Sequence, residues 1–136
     1  MSAPTPFLRA AGHDGIPVVL LHSSASSSCQ WRALMELLRA QLRVLAPELQ
    51  GCGKSAPWHF HRPLRLDDEV DALAEVFERA GPRVHLVGHS FGGAVALRAA
   101  LRYADRLASL TLFEPVLFSL LMAAAPDSEG AREIDA

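Results

Sequence analysis

The run Gly88-His89-Ser90-Phe91-Gly92-Gly93 is where spacing and chemistry coincide best in this 136-residue chain. A serine hydroxyl attacks a carbonyl only when the fold exposes it, a base takes its proton, and donors hold the charge that forms. Gly-x-Ser-x-Gly meets the first need when it joins a strand directly to a helix, as a nucleophile elbow. Val84–Val87 reads as that strand, and a helix is expected to open at Phe91. In so tight a turn the serine backbone is strained and its side chain stands clear of the sheet. A Cβ two residues before or after would collide with the turn, which accounts for Gly88 and Gly92. Gly93 and Ala96 leave one face of the helix small enough to lie close on the sheet. The free N–H groups at the helix start point at Ser90 and can stabilise negative charge. The plain alternative is a glycine-rich turn with an incidental serine. The agreement of motif and setting favours the nucleophile.

Other chemistry-bearing residues fall mainly in loops. Leu20-Leu21-His22-Ser23-Ser24 leaves an apolar strand and enters a small, polar run that ends at Ser28. Pro47-Glu48-Leu49-Gln50-Gly51-Cys52-Gly53-Lys54-Ser55 ends in Gly-Lys-Ser and invites comparison with a phosphate-binding P-loop. That motif needs glycine at position 48, where Glu48 stands, and a helix starting at Lys54-Ser55, which Pro57 forbids. Cys52 then reads as a small loop residue, and Cys29 as a buried small residue near the helix carrying Trp31. His59 and His61 lack the helical i, i+4 spacing and the neighbouring cysteines of a zinc site, so they read as surface or substrate-channel residues. Asp67, Asp68, Glu69 and Asp71 read as a solvated helix start matched to the dipole.

The elements that must position these residues alternate in type. Strands are expected at Phe7–Ala10, Val18–Leu21, Arg43–Ala46, Val84–Val87 and Leu107–Phe113. Val18–Leu21 is a continuous apolar run typical of a strand buried on both faces. Helices are expected at Gln30–Ala40, with Trp31, Leu34, Leu37 and Leu38 as its buried stripe, at Asp67–Arg79, with Val70, Leu73, Ala74 and Phe77, and at Phe91–Tyr103. Gly51–Pro63 is a loop, and Gly81-Pro82 stops the second helix. Alternating strands and helices predict right-handed βαβ units in an α/β fold with a mostly parallel sheet flanked by helices. Chemistry then belongs in the loops at the carboxyl ends of the strands.

With the elbow in that setting, the chain resembles the α/β-hydrolase fold family, in which the acid and the histidine follow the nucleophile in chain order. The resemblance implies that Phe91 supplies one oxyanion N–H and that the loop after His22 supplies the other. Ser24 is the implied donor there, with Ser23 in the place of the usual glycine. His22 comes too early for the catalytic base and is expected to be structural and hydrogen-bonded, and His89 to be packed beside the nucleophile. The Glu48–Ser55 run resembles a family loop that carries Asp at the Glu48 position and packs near the elbow. The resemblance also places the acid after the seventh strand and the histidine after the eighth, whereas this chain stops soon after Leu107–Phe113, the sixth in the family count. No histidine follows His89. Glu114, at the end of that strand, is a candidate acid because some members place theirs there; otherwise it is a loop residue beside Pro115.

The chain therefore reads as a single partial domain over residues 1–136, about the first half of the family fold, with the cap and last strands missing. Such a fragment leaves the last strand's edge unpaired and Val116, Leu117, Phe118, Leu120 and Leu121 partly uncovered, which invites association through that edge. The implied function is a serine hydrolase for a small-molecule ester or related acyl substrate, needing no metal or organic cofactor. The carbon–carbon bond of a diketone is a second substrate class, and a non-catalytic binding protein is the rival. Serine at the elbow argues against the dehalogenase and epoxide hydrolase branches, which use aspartate.

Composition sets the remaining bounds. A formal charge of −2 disfavours nucleic acid as partner. Two cysteines make no disulfide framework. The start carries no basic and apolar leader pattern, and the tract Leu110–Ala125, broken by Glu114 and Pro115, is too short for a membrane span. A cytoplasmic protein with no membrane partner is expected.

Overall fold

The computed structural model describes residues 3–117 together with Ala123, Asp127 and Glu129. Phe118, Leu120 and Leu121 lie outside the described residues. Among the described residues five strands form one sheet: β1 (Leu8–Ala11), β2 (Val18–Leu21), β3 (Val44–Pro47), β4 (Val84–His89) and β5 (Leu107–Phe113), in the order β1-β3-β2-β4-β5. All pairings are parallel except β1 on β3. Helices α1 (Arg32–Leu38), α2 (Leu66–Ala80) and α3 (Phe91–Arg102) cover the sheet.

The side-chain period of two in β2 explains why the whole strand is apolar. Val19 and Leu21 face the core shared with α2 and α3, which includes Leu73, Phe77, Val95 and Ala96. Val18 and Leu20 face the other way, into the smaller core under Met35 of α1. Both faces are covered, so no polar residue has a place in the strand.

Two helix faces differ from expectation. The first helix starts as one 3-10 turn, Ser28–Trp31, and becomes α-helical only at Arg32. Its buried residue is Met35, with Trp31, Leu34 and Leu38 packed around it, whereas Leu37 is 78% exposed. Counted from Trp31, Met35 lies 40° round the helix and Leu37 lies 120° off. In α2 the buried arc includes Leu73, Val76, Phe77 and Ala80, and Ala74 is exposed. Asp68 and Glu69 are buried as well, so the acidic start of α2 is not the solvated face expected from the sequence. The Asp68 carboxylate accepts from the Arg65 backbone N–H at 2.8 Å and from both terminal nitrogens of Arg62. Its pKa is held down to about 2, chiefly by the Arg62 hydrogen bonds. Asp67 and Asp71 stay exposed in part and pair with Arg98 and Arg102 of α3.

The carboxyl end of α2 is closed from two sides. Arg43 donates to the carbonyls of Arg79 and Ala80, and Arg106 to those of Phe77 and Gly81. Arg43 thereby satisfies two acceptors that the helix end leaves free, and the charge of both arginines complements the dipole.

Candidate active site

The sheet register brings three chain segments together at the carboxyl ends of their strands. Leu21 stands opposite Gly88, Gly88 opposite Leu112, and His89 opposite Phe113. The loop after β2, the turn after β4 and the Glu114 turn after β5 therefore leave the sheet side by side.

Ser90 sits alone between β4 and α3 with φ 54° and ψ −116°. An L-residue in that region costs on the order of 1–3 kcal/mol and persists only where neighbours enforce it. Here they do. The Ser90 N–H donates to the Phe113 carbonyl at 3.0 Å, and the Ser90 carbonyl accepts from Val116 N–H and Ala94 N–H, each at 3.1 Å. The flanking glycines are required by close approach. A Cβ on Gly88 would lie 2.7 Å from the Gly93 Cα, and one on Gly92 would lie 2.6 Å from the Leu21 carbonyl carbon. Neither gap admits a methyl group, so the helix start rests directly on the end of β2.

The loop after β2 turns at Ser24-Ala25, with Ala25 at φ 53°. Ser24 is exposed. The Ser23 N–H is already engaged, donating to Gln30 Oε1 at 3.0 Å. Ser24, the next residue of the loop, is the donor the family resemblance implies. Phe91 is the first residue of α3, where backbone N–H groups lack partners within the helix.

His22 is fully buried and is used at both nitrogens. Nδ1 donates to the Ser23 carbonyl at 2.7 Å, and Nε2 accepts from the Leu49 N–H at 2.9 Å. Because Nε2 accepts, the ring is neutral, and burial drives its pKa below the ordinary value. It is the structural histidine expected. His89 is half-buried, with its ring 5.1 Å from that of Phe113 and Nδ1 against Gln30 Nε2 at 2.7 Å. Glu114 is exposed at φ 43°, between β5 and Pro115. His59 and His61 are exposed too, with His59 against Phe60.

Glu48 organises the neighbouring loops. Its buried carboxylate accepts from Ser28 N–H and from Lys54 N–H, each at 3.1 Å. A Cβ on Gly53 would fall on that carboxylate. The Gly53-Lys54-Ser55 turn thus closes on an acid of its own and opens no helix, unlike a phosphate-binding loop. Glu69 accepts from Gln50 N–H with both oxygens at 3.2 Å, and burial raises its pKa to about 7.

The sequence reading missed Gln30, which was counted only as the start of a helix. Cys29 is exposed rather than buried, because the 3-10 turn directs it outward beside Arg9. Among the described residues no three His, Cys, Asp or Glu side chains gather as a metal site. No helix among them is long and apolar enough to cross a membrane.

Residues 18–135 match the Alpha/beta hydrolase family, and the chain belongs to it. Lipase LipV of Mycobacterium tuberculosis is 36% identical over 118 residues, which span 86% of this chain and 41% of the lipase. The 2-hydroxymuconate semialdehyde hydrolase of Pseudomonas sp. is 35% identical over 115 residues, 77% of this chain and 39% of that protein. A thermophilic esterase from Thermogutta terrifontis superposes with a TM-score of 0.75 at 32% identity, covering 94% of this chain and 44% of its own. The chain thus spans about two fifths of the length of these relatives, a partial α/β-hydrolase fold.

Proposed function

We propose that this chain is the nucleophile-bearing portion of a serine hydrolase acting on small-molecule esters. The observation that carries the reading is the Ser90 backbone, held in a strained turn at a strand–helix junction by the ends of β2 and β5. Strain of this kind persists at functional sites because it presents a side chain. In the proposed reaction Ser90 Oγ bonds to the acyl carbon as its proton passes to a histidine base. The N–H groups of Phe91 and Ser24 hold the oxyanion, and the leaving alcohol takes the proton as the carbon–oxygen bond breaks. Water, deprotonated by the same base, then releases the acid. His22 has both nitrogens engaged and His89 is bonded to Gln30. No histidine follows His89, and the family order puts the base after the nucleophile, so the base is assigned to sequence outside these 136 residues, with the acid there or at Glu114.

Cleavage of a carbon–carbon bond is the second reading, favoured by the 35% identity to the 2-hydroxymuconate semialdehyde hydrolase. A panel of esters and diketones offered to the complete gene product separates the two. Ester turnover lost in Ser90→Ala supports the first. Turnover of diketones alone supports the second. A protein inert to every substrate and to a fluorophosphonate probe would be a binding protein instead.

A further inference from the structure

One side chain outside the motifs joins the two halves of the site. Gln30 sits within the 3-10 turn ahead of α1, a single turn that Ser27 caps by accepting from the Cys29 N–H. Its Oε1 accepts from both the N–H and the Oγ of Ser23, each at 3.0 Å. Its Nε2 lies 2.7 Å from Nδ1 of His89, the residue before the nucleophile. The amide orientation follows from the network itself. A backbone N–H can only donate, so the oxygen must face Ser23 and the NH2 group must face His89. An NH2 group can only donate, so His89 Nδ1 must be the acceptor, and the ring proton of neutral His89 resides on Nε2.

We propose that Gln30 is the positioning residue of this site: it fixes the loop path that leaves Ser24 N–H free and sets the His89 tautomer beside Ser90. The physical need comes from Ser23. Serine there adds a side chain and an N–H that both require an acceptor, and one amide oxygen supplies it. Because the same amide serves His89, the two strand ends cannot shift independently. A proton on His89 Nδ1 would meet the Gln30 NH2, and turning the amide to relieve that would set its NH2 against the Ser23 N–H. The loop and the elbow therefore hold one joint arrangement.

The consequence for catalysis rests on the reading of Ser90 as nucleophile; the placement does not. Nitrogen NMR of the His89 ring and hydrogen exchange at the Ser23 amide test the placement in this chain. Wild type is expected to show bare Nδ1 and a protected Ser23 amide. Gln30→Met, similar in volume, should speed Ser23 exchange at least tenfold, since it removes a hydrogen bond to a half-buried donor. Gln30→Glu keeps the acceptor and loses the donor, so Ser23 should stay protected while the His89 proton moves to Nδ1. A proton on Nδ1 in wild type, or Ser23 exchange unchanged in Gln30→Met, overturns the proposal. In the complete gene product, Gln30→Met should slow fluorophosphonate labelling of Ser90 at saturation at least tenfold, with probe affinity little changed. Saturated labelling as fast as wild type would overturn the positioning role. If Ser90 never labels in wild type, the nucleophile reading fails, while the exchange and tautomer results still decide the role of Gln30.

Discussion

At Ser90 the backbone strain and the proposed chemistry are two aspects of one geometry, so they can be separated by substitution. Ser90→Gly removes both the hydroxyl and the penalty at φ 54°. It should abolish activity and stabilise the fold by about 1 kcal/mol, the relief exceeding the added freedom of the unfolded chain. Chemical denaturation of the two proteins checks this, and equal midpoints would mean that the turn is relaxed. The motif made this residue legible because glycine at 88 and 92 is forced by backbone contact. Ser24 was reached only through family resemblance; the structure shows that the neighbouring Ser23 N–H is taken by Gln30. Gln30 itself was illegible. A glutamine in a helical stretch carries no signal of the two loops it joins, one of them 59 residues away.

Among the elements, α2 is where sequence periodicity misled and electrostatics is most testable. Glu69 has a folded pKa of about 7 against an ordinary 4.5, raised first by burial. Between those values the unfolded chain holds fewer protons than the folded one, so this group makes stability fall as pH rises from 4.5 to 7. His22 works the other way. Its pKa is lowered by burial, so the unfolded chain binds more protons below 6.5 and stability falls on acidification. Glu69→Gln should therefore leave a curve that rises more steeply from pH 4.5 to 7, measured by urea unfolding across that range. An unchanged slope would remove Glu69 from the account. Asp68 contributes at lower pH: its stabilisation is present above about 3.8 and fades as pH falls toward about 2, and Asp68→Asn should abolish that limb. The acids look like a solvated helix start in sequence because the partners of Asp68 and Glu69, Arg62 and Gln50, lie in the preceding loop. The contact of α3 with β2 is unforgiving. Gly92→Ala should cost about 3 kcal/mol or prevent folding.

For the whole molecule, the mostly parallel sheet and its two-sided core were legible, since strands and helices alternate and a wholly apolar β2 requires cover on both faces; the strand order was not. What lies beyond β5 was not. Phe113 is 59% exposed and Leu101 73% exposed, and an open groove of about 350 Å³ is lined by Leu66, Phe91, Leu97, Leu101 and Leu117, among others. A surface of this kind favours association, and β5 is an edge strand among the described residues. Residues 1–136 alone should self-associate as concentration rises in sedimentation runs, and Leu101→Lys with Phe113→Lys should weaken that association. The same 136 residues should turn over almost no ester, because no histidine follows His89 in them to serve as the base the family order calls for. Turnover at the level of full-length relatives, lost in Ser90→Ala, would mean that another chain supplies one.

The most direct test of the central claim is covalent. The complete gene product is treated with a fluorophosphonate and digested, and the tagged peptide is sequenced by mass spectrometry. The account predicts a single adduct on Ser90, absent in Ser90→Ala. An active esterase that carries no tag on Ser90, or carries it on another residue, would contradict it.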